Sequence, residues 1–275
     1  MASASPPGTG RRGAAHEHSF IVLPAAVNYV GMGDERFPAD EEFLHEPPSP
    51  PRVAPAPPLQ DRPAPGGSLR CAMVGDAASV RWNHNIHYHS LVLRALPPTS
   101  RRVLDVGCGE GMLTRELRRL AHDVVGIDLH EPSINLARDQ STADGIVYVL
   151  GDFLTFPFEP ESFDIIVSVA TLHHMDASAA LVQMRSLLCP GGRLVVIGLA
   201  RSRGPLDLAC DIAGVFGDLL YKRVRTYWDH SAPTVWPPPL TYGQTRRIAI
   251  RELPGVRYRR HLLFRHSLVW TKPGG

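Results

Sequence analysis

From Leu91 onward, short runs of β-branched and apolar residues alternate with runs of helical periodicity, and this alternation limits the fold more than any other feature of the chain. RVLDV (102–106), DVVGID (123–128), IVYVL (146–150), FDIIVSV (163–169) and LVVIGL (194–199) read as strands. Helices are predicted between them over 112–121, 131–140 and 177–188, the second with Pro132 in its first turn, where a missing amide is tolerated. FDIIVSV is almost wholly apolar and is therefore predicted to be buried on both faces. Cys189-Pro190-Gly191-Gly192 is a stop signal for the helix before it. Strand and helix at this spacing mean βαβ units and a mostly parallel sheet.

After residue 199 the rhythm changes. Residues 206–220 carry apolar side chains at 208, 209, 212, 215, 216, 219 and 220, with Asp207, Asp211 and Asp218 off that stripe. This predicts an amphipathic helix, and an acidic polar face argues against an anionic membrane surface. An irregular stretch with Trp228, His230, Trp236 and three consecutive prolines follows. A helix over 242–251 then leads to two apolar runs, 256–264 and 267–271, predicted to close the sheet as an edge hairpin.

Residues 1–70 are unlike the rest. They hold half of the prolines (13 of 26 lie in the first 65 residues), which leaves no room for a helix or a central strand over 46–67. Two readings stay open: a disordered, polyproline-like leader, or an untranslated extension with the true start at Met73. The working domain is expected over 75–275. The 29 basic and 27 acidic residues nearly cancel, so charge alone suggests neither nucleic acid nor a membrane surface as partner. Cys71, Cys108, Cys189 and Cys210 stand apart with no C-x-x-C spacing, which disfavours a zinc ribbon or a dithiol site and suits a reducing cytoplasm. No apolar run approaches the ~18 residues of a membrane helix.

The chemistry sits in Gly107-Cys108-Gly109-Glu110-Gly111, between a strand and a helix. Glycines there let the backbone turn sharply and approach a ligand. Asp128 ends the next strand, where a carboxylate can accept from both hydroxyls of a ribose. The turn is one residue tighter than the dinucleotide fingerprint G-x-G-x-x-G, which disfavours a nicotinamide dehydrogenase.

With VLDVGCGEG (103–111), GID (126–128), GDF (151–153), FDIIV (163–167), LHH (172–174) and LCPGG (188–192) in this order, the chain resembles the class I S-adenosylmethionine-dependent methyltransferases of the type-11 group over roughly 75–275. The resemblance implies a Rossmann-like α/β fold: a seven-stranded, mostly parallel sheet with helices on both faces and an antiparallel C-terminal strand. It implies S-adenosyl-L-methionine as cofactor. Asp105 with Gly107, Gly109 and Gly111 would hold the methionine part and Asp128 the ribose. Leu129 would pack on adenine, with Asp152 and Phe153 binding or flanking it and Val169 bordering the site. Cys108 reads as a compact filler.

His173 and His174 follow the strand ending at Val169 and are the candidate proton acceptors. The segment 78–95 resembles a lid that folds over the cofactor in many relatives, bringing His87 or Tyr88 to the substrate. His84, His87 and His89 offer a competing reading as a metal cluster, which is disfavoured because no carboxylate or thiolate joins them locally. The insert 204–240, with Trp228 and Trp236, is the candidate substrate cap. No Asn/Asp-Pro-Pro-aromatic run follows the 163–169 strand, so methylation at oxygen or carbon of a small molecule is favoured over nitrogen. The alternatives are an RNA or protein methyltransferase, for which the arginine-rich C-terminal third is the one argument, and a non-catalytic protein that binds the same cofactor.

Overall fold

The computed structural model describes residues 81–97, 100–142, 144–228 and 235–274. The proline-rich leader, Met73, the start of the 78–95 lid segment and His230 lie outside the described residues.

Five strands form the parallel part of the sheet: β2 (Arg102–Val106), β3 (Asp123–Asp128), β4 (Ile146–Leu150), β5 (Phe163–Val169) and β6 (Leu188–Gly198). With β8 (Arg257–Arg260) and β9 (His266–Thr271) they lie in the order β4-β3-β2-β5-β6-β9-β8. All neighbours from β4 to β6 are parallel, and β9 runs antiparallel to both β6 and β8. This is the seven-stranded sheet with an antiparallel C-terminal strand that the sequence implies. A second, two-stranded sheet pairs β1 (Arg81–Trp82) with β7 (Thr226–Tyr227).

The side-chain alternation of the strands explains why both faces are covered. Val103, Ile165, Val167, Val195 and Ile197 pack with α2 (His89–Ala95) and α3 (Met112–Arg118), through Val92, Leu113 and Leu117. Leu104, Val106, Ile166, Leu194 and Val196 pack with α5 (Ala177–Leu187) and α7 (Tyr242–Glu252), through Leu181, Met184 and Ala249. Each such side chain removed from water contributes on the order of 1.5–3 kcal/mol. Two further helices are α4 (Glu131–Asp139), between β3 and β4, and the four-residue α1 (His84–His87).

One boundary differs from expectation. The strand predicted from 194 begins at Leu188, because Leu188 pairs with Phe163 before the register shifts between Phe163 and Ile165. Gly191 takes φ +78°, and a methyl on Gly192 would sit 2.8 Å from the Cys189 carbonyl oxygen, so the Pro-Gly-Gly that stops α5 is absorbed as an irregularity inside β6.

The amphipathic helix exists, as α6 (Pro205–Val224), but its apolar stripe points outward. Leu208, Ile212, Val215, Phe216, Leu219, Leu220 and Val224 are all exposed, Phe216 at 69%. The inward face is instead Cys210, Asp211, Gly214, Gly217, Asp218 and Tyr221. Gly214 and Gly217 let the helix backbone approach Phe264 and Leu263. Asp211 binds Arg260 at 2.9 Å, and Asp218 binds His84 and Lys222, both at 2.8 Å. Asp211 and Asp218 therefore do not present an acidic face to solvent, contrary to the expectation from their spacing. Among the described residues no helix is long and apolar enough to cross a membrane.

This orientation has a direct check. Phe216→Ser should leave unfolding in urea within about 0.5 kcal/mol of the parent, as for other exposed positions. Gly214→Leu, which pushes a side chain toward Phe264, should cost about 1–3 kcal/mol. The reverse ranking would mean that the stripe faces the core.

Candidate active site at the carboxyl edge of the sheet

The chain order reverses between β2 and β5, and ligands of open α/β sheets bind in the crevice that such a reversal leaves at the carboxyl ends of the strands. The 107–111 turn leaves β2 at this point. Gly107, Gly109 and Gly111 have φ of 74°, 53° and 74°, the left-handed region that strains other residues. Their surroundings differ. A methyl on Gly107 would lie 2.0 Å from Thr171 Oγ1 and one on Gly111 2.3 Å from the Tyr148 hydroxyl, whereas none of the described residues comes within 4 Å of one on Gly109. The outer glycines allow close packing, and the middle one borders open space.

Asp128 fastens this turn. Its Oδ2 accepts from the Gly109 amide at 2.8 Å and its Oδ1 from the His130 amide at 2.9 Å. A carboxylate has roughly four acceptor positions, so two remain for a ligand. Asp105 is placed otherwise. It is 1% exposed and accepts from Thr114 Oγ1 at 2.7 Å, tying α3 to β2 instead of presenting its carboxylate to the crevice. Burial raises its pKa to about 6, with the Thr114 hydrogen bond opposing the rise. Cys108 is buried against Gly126, and its thiol pKa is raised well above the ordinary value by burial and then by Asp105 and Asp128. That favours a packing role over nucleophilicity.

Leu129, next to Asp128, is 72% exposed. Asp152 Oδ1 accepts from the Leu154 amide at 2.9 Å, while the Phe153 ring is buried in the core. On the other wall β5 ends at Val169. Ala170 takes φ +56°, a strained value for a residue with a Cβ, and turns Thr171 back over Gly107. Thr171 Oγ1 donates to the Val169 carbonyl at 3.1 Å.

His173 and His174 lie on the 3₁₀ turn Leu172–His174, with ring centroids 4.1 Å apart. Burial, then the neighbouring His174 and Arg265, lowers His173 to about 4. Its Nδ1 is buried without a hydrogen-bond partner among the described residues. Beside it is a cavity of about 160 Å³ lined by His173, Leu172, Met175, Leu199, Leu240 and Thr245. A larger cavity, about 450 Å³, lies between α7 and β8 around Arg246, Arg257 and Arg259 and includes none of the candidate residues.

The lid segment folds as α1 and α2 against α3 and α6. Tyr88 is buried and donates to the Leu262 carbonyl; burial raises its pKa to about 12. His87 packs edge-on to Tyr221 and Tyr88. Asn83 caps α1 by accepting from the Asn85 and Ile86 amides, both at 2.9 Å. Trp228 lies under the Arg81 guanidinium, and Arg81 reaches Glu110 of the glycine turn at 3.4 Å. Trp236 is 64% exposed. The lid therefore meets the glycine turn through Arg81, with Trp228 of the cap on the same guanidinium, whereas the Trp236 side chain stands largely in solvent. Among the described residues no three metal-ligand side chains converge.

Thr171, Tyr148 and Arg265 were not anticipated. The first two matter through contacts with glycines far away in sequence, and the third sits in the closing hairpin, where no motif marks it.

A sequence profile described as a methyltransferase domain matches residues 104–196. An uncharacterized methyltransferase of Mycobacterium tuberculosis is 35% identical over 70% of this chain and 98% of its own length. A ubiquinone biosynthesis O-methyltransferase of Xylella fastidiosa is 32% identical over 61% of this chain and 68% of its own. A demethylmenaquinone methyltransferase of Roseiflexus castenholzii is 36% identical over 58% and 71%.

The buried Asp105 makes stability depend on pH. Its pKa of about 6 exceeds the value of about 3.9 in an unfolded chain, so the native state holds the proton more tightly and stability falls as pH rises from about 4 to about 6. The gap corresponds to about 3 kcal/mol. Asp105→Asn keeps an oxygen for Thr114 and should flatten that fall, exceeding the parent's stability at pH 7. Parallel urea-denaturation profiles for parent and variant between pH 4 and 6 would exclude a buried charge here.

Proposed function

The chain belongs to the class I S-adenosylmethionine-dependent methyltransferases, and from that premise we propose that it methylates a small organic acceptor at oxygen or carbon. The observation that carries this reading is the adjacency, at one sheet edge, of the open Gly109–Asp128 cradle and the small cavity bordered by His173. A cavity of about 160 Å³ suits the reacting end of a small molecule, and its wall is mostly apolar, with Leu172, Met175, Leu199 and Leu240. Relatives named for ubiquinone and demethylmenaquinone substrates support an organic acceptor.

S-adenosylmethionine supplies, when bound, an electrophilic methyl on a sulfonium. The rest falls to the chain. Asp128 would accept from the ribose hydroxyls with its two spare positions, and the 107–111 turn would lie against the methionine part with Asp105 supporting it from behind. Leu129, Asp152 and Phe153 would border the adenine, Phe153 through its backbone, and Val169 would close the wall opposite the turn. Orientation of the acceptor supplies much of the rate in such a displacement. His173, neutral at physiological pH, would accept a hydrogen bond or a proton from the acceptor, with His174 packed behind it. Residues 75–275 would form the catalytic domain after a 1–70 leader, with 78–95 as lid carrying His87 and Tyr88, and 204–240 as cap carrying Trp228 and Trp236.

Two measurements test this. Asp128→Ala removes charge-assisted hydrogen bonds worth about 1.5–3 kcal/mol each, so calorimetry should show S-adenosylhomocysteine binding weakened at least about tenfold. Unchanged affinity would refute the ribose assignment. Incubation with a labelled methyl donor should label the small-molecule fraction of a host extract; label confined to RNA or protein would refute the acceptor class.

A further inference from the structure

Arg265, immediately before β9, is 6% exposed. Its guanidinium donates through Nε at 3.2 Å and Nη2 at 2.6 Å to one oxygen, Asn85 Oδ1. Nη1 faces the Leu263 and Phe264 carbonyls at 3.3 and 3.4 Å. All of these acceptors are neutral, and none of the ion pairs among the described residues includes Arg265. A guanidinium withdrawn from water ordinarily faces a carboxylate, because an uncompensated buried charge is costly. Arg260, by contrast, meets a carboxylate, that of Asp211 at 2.9 Å.

The surroundings point the same way. Arg265 directly precedes His266, which pairs with Gly198 at the carboxyl end of β6, so it stands at the same sheet edge as the His173 turn that follows β5 and touches the lid helix α1. Its Nε/Nη2 edge is the fork that receives two carboxylate oxygens side by side. Here a single amide oxygen covers that fork, and it comes from α1, a helix of only four residues in the lid segment.

We propose that Arg265 anchors a carboxylate of the methyl acceptor, with Asn85 covering the fork until the acceptor displaces it. This rests on the small-molecule reading above and narrows it to acceptors that carry a carboxylate group. Asn85 thereby joins lid position to acceptor binding.

The test uses the full chain, a labelled methyl donor and the small-molecule fraction of a host extract. Acceptor activity should be retained on an anion exchanger and vanish when carbodiimide and ammonia convert carboxylates to amides. Asn85→Asp places a carboxylate of the chain itself on the fork. It should raise at least tenfold the amount of extract giving half-maximal rate, while Tm stays at or above the parent's and S-adenosylhomocysteine affinity stays within twofold. Arg265→Gln should weaken the acceptor in the same way; because it also removes buried hydrogen bonds that support the fold, the Asn85→Asp result stands as the independent measurement. Activity that passes the exchanger or survives amidation overturns the proposal, as does an Asn85→Asp variant with unchanged half-saturation. An equal loss of S-adenosylhomocysteine affinity in Asn85→Asp also overturns it, by giving the fork to the cofactor's own carboxylate. No labelled small molecule at all overturns the acceptor class itself and this proposal with it.

Discussion

One hydrogen bond joins the parts of the crevice: Asp128 Oδ2 accepting from the Gly109 amide. Asp128 ends β3 and Gly109 lies in the turn after the neighbouring β2, so the bond makes one surface out of two strand ends. The backbone bonds from Gly107 and Cys108 to the Ile127 carbonyl reinforce it at 2.8 and 3.1 Å. A charged acceptor also organises the turn without any side chain from the glycines, which leaves the space before Gly109 open. The site is thus largely assembled before any ligand arrives, and a preformed site loses less entropy on binding.

Much of this was legible because it is local. The strands 102–106, 123–128, 146–150 and 163–169 have the predicted limits, since continuous apolar runs bounded by charged residues or glycine can be little else. Asp128 announced itself by standing at a strand end just after a glycine turn. The direction of α6 could not be read in this way. A stripe shows that two helix faces differ, not which of them meets the protein. The inward choice depended on Arg260 and His84, which are distant in sequence and bind Asp211 and Asp218, and on two glycines that bring the helix backbone close to Phe264 and Leu263. Thr171 and Arg265 were invisible for the same reason: neither belongs to a motif, and each acquires its meaning from a partner elsewhere in the chain.

The closing hairpin has more than an edge-sealing role. Leu263 and Phe264 take φ of 55° and 61°, a tight left-handed bend that drops Leu263 into the core and brings the Leu262 and Leu263 carbonyls toward Tyr88 and Arg265. The lid is therefore latched to the bend of the closing hairpin through Tyr88 and Asn85, as well as to the glycine turn through Arg81 and Glu110.

The contact between Gly107 and Thr171 bears on how this enzyme can change over generations. The left-handed backbone already discourages any side chain at 107, and the threonine hydroxyl and methyl fill the space where one would begin. Shrinking Thr171 alone leaves a gap that the backbone cannot close, and enlarging Gly107 alone drives the two strand ends apart. The pair can drift only by concerted replacement, so this seam between the glycine turn and the turn that follows β5 should be among the slowest parts of the chain to diverge, while the outward stripe of α6, bound by no such reciprocity, is free to vary.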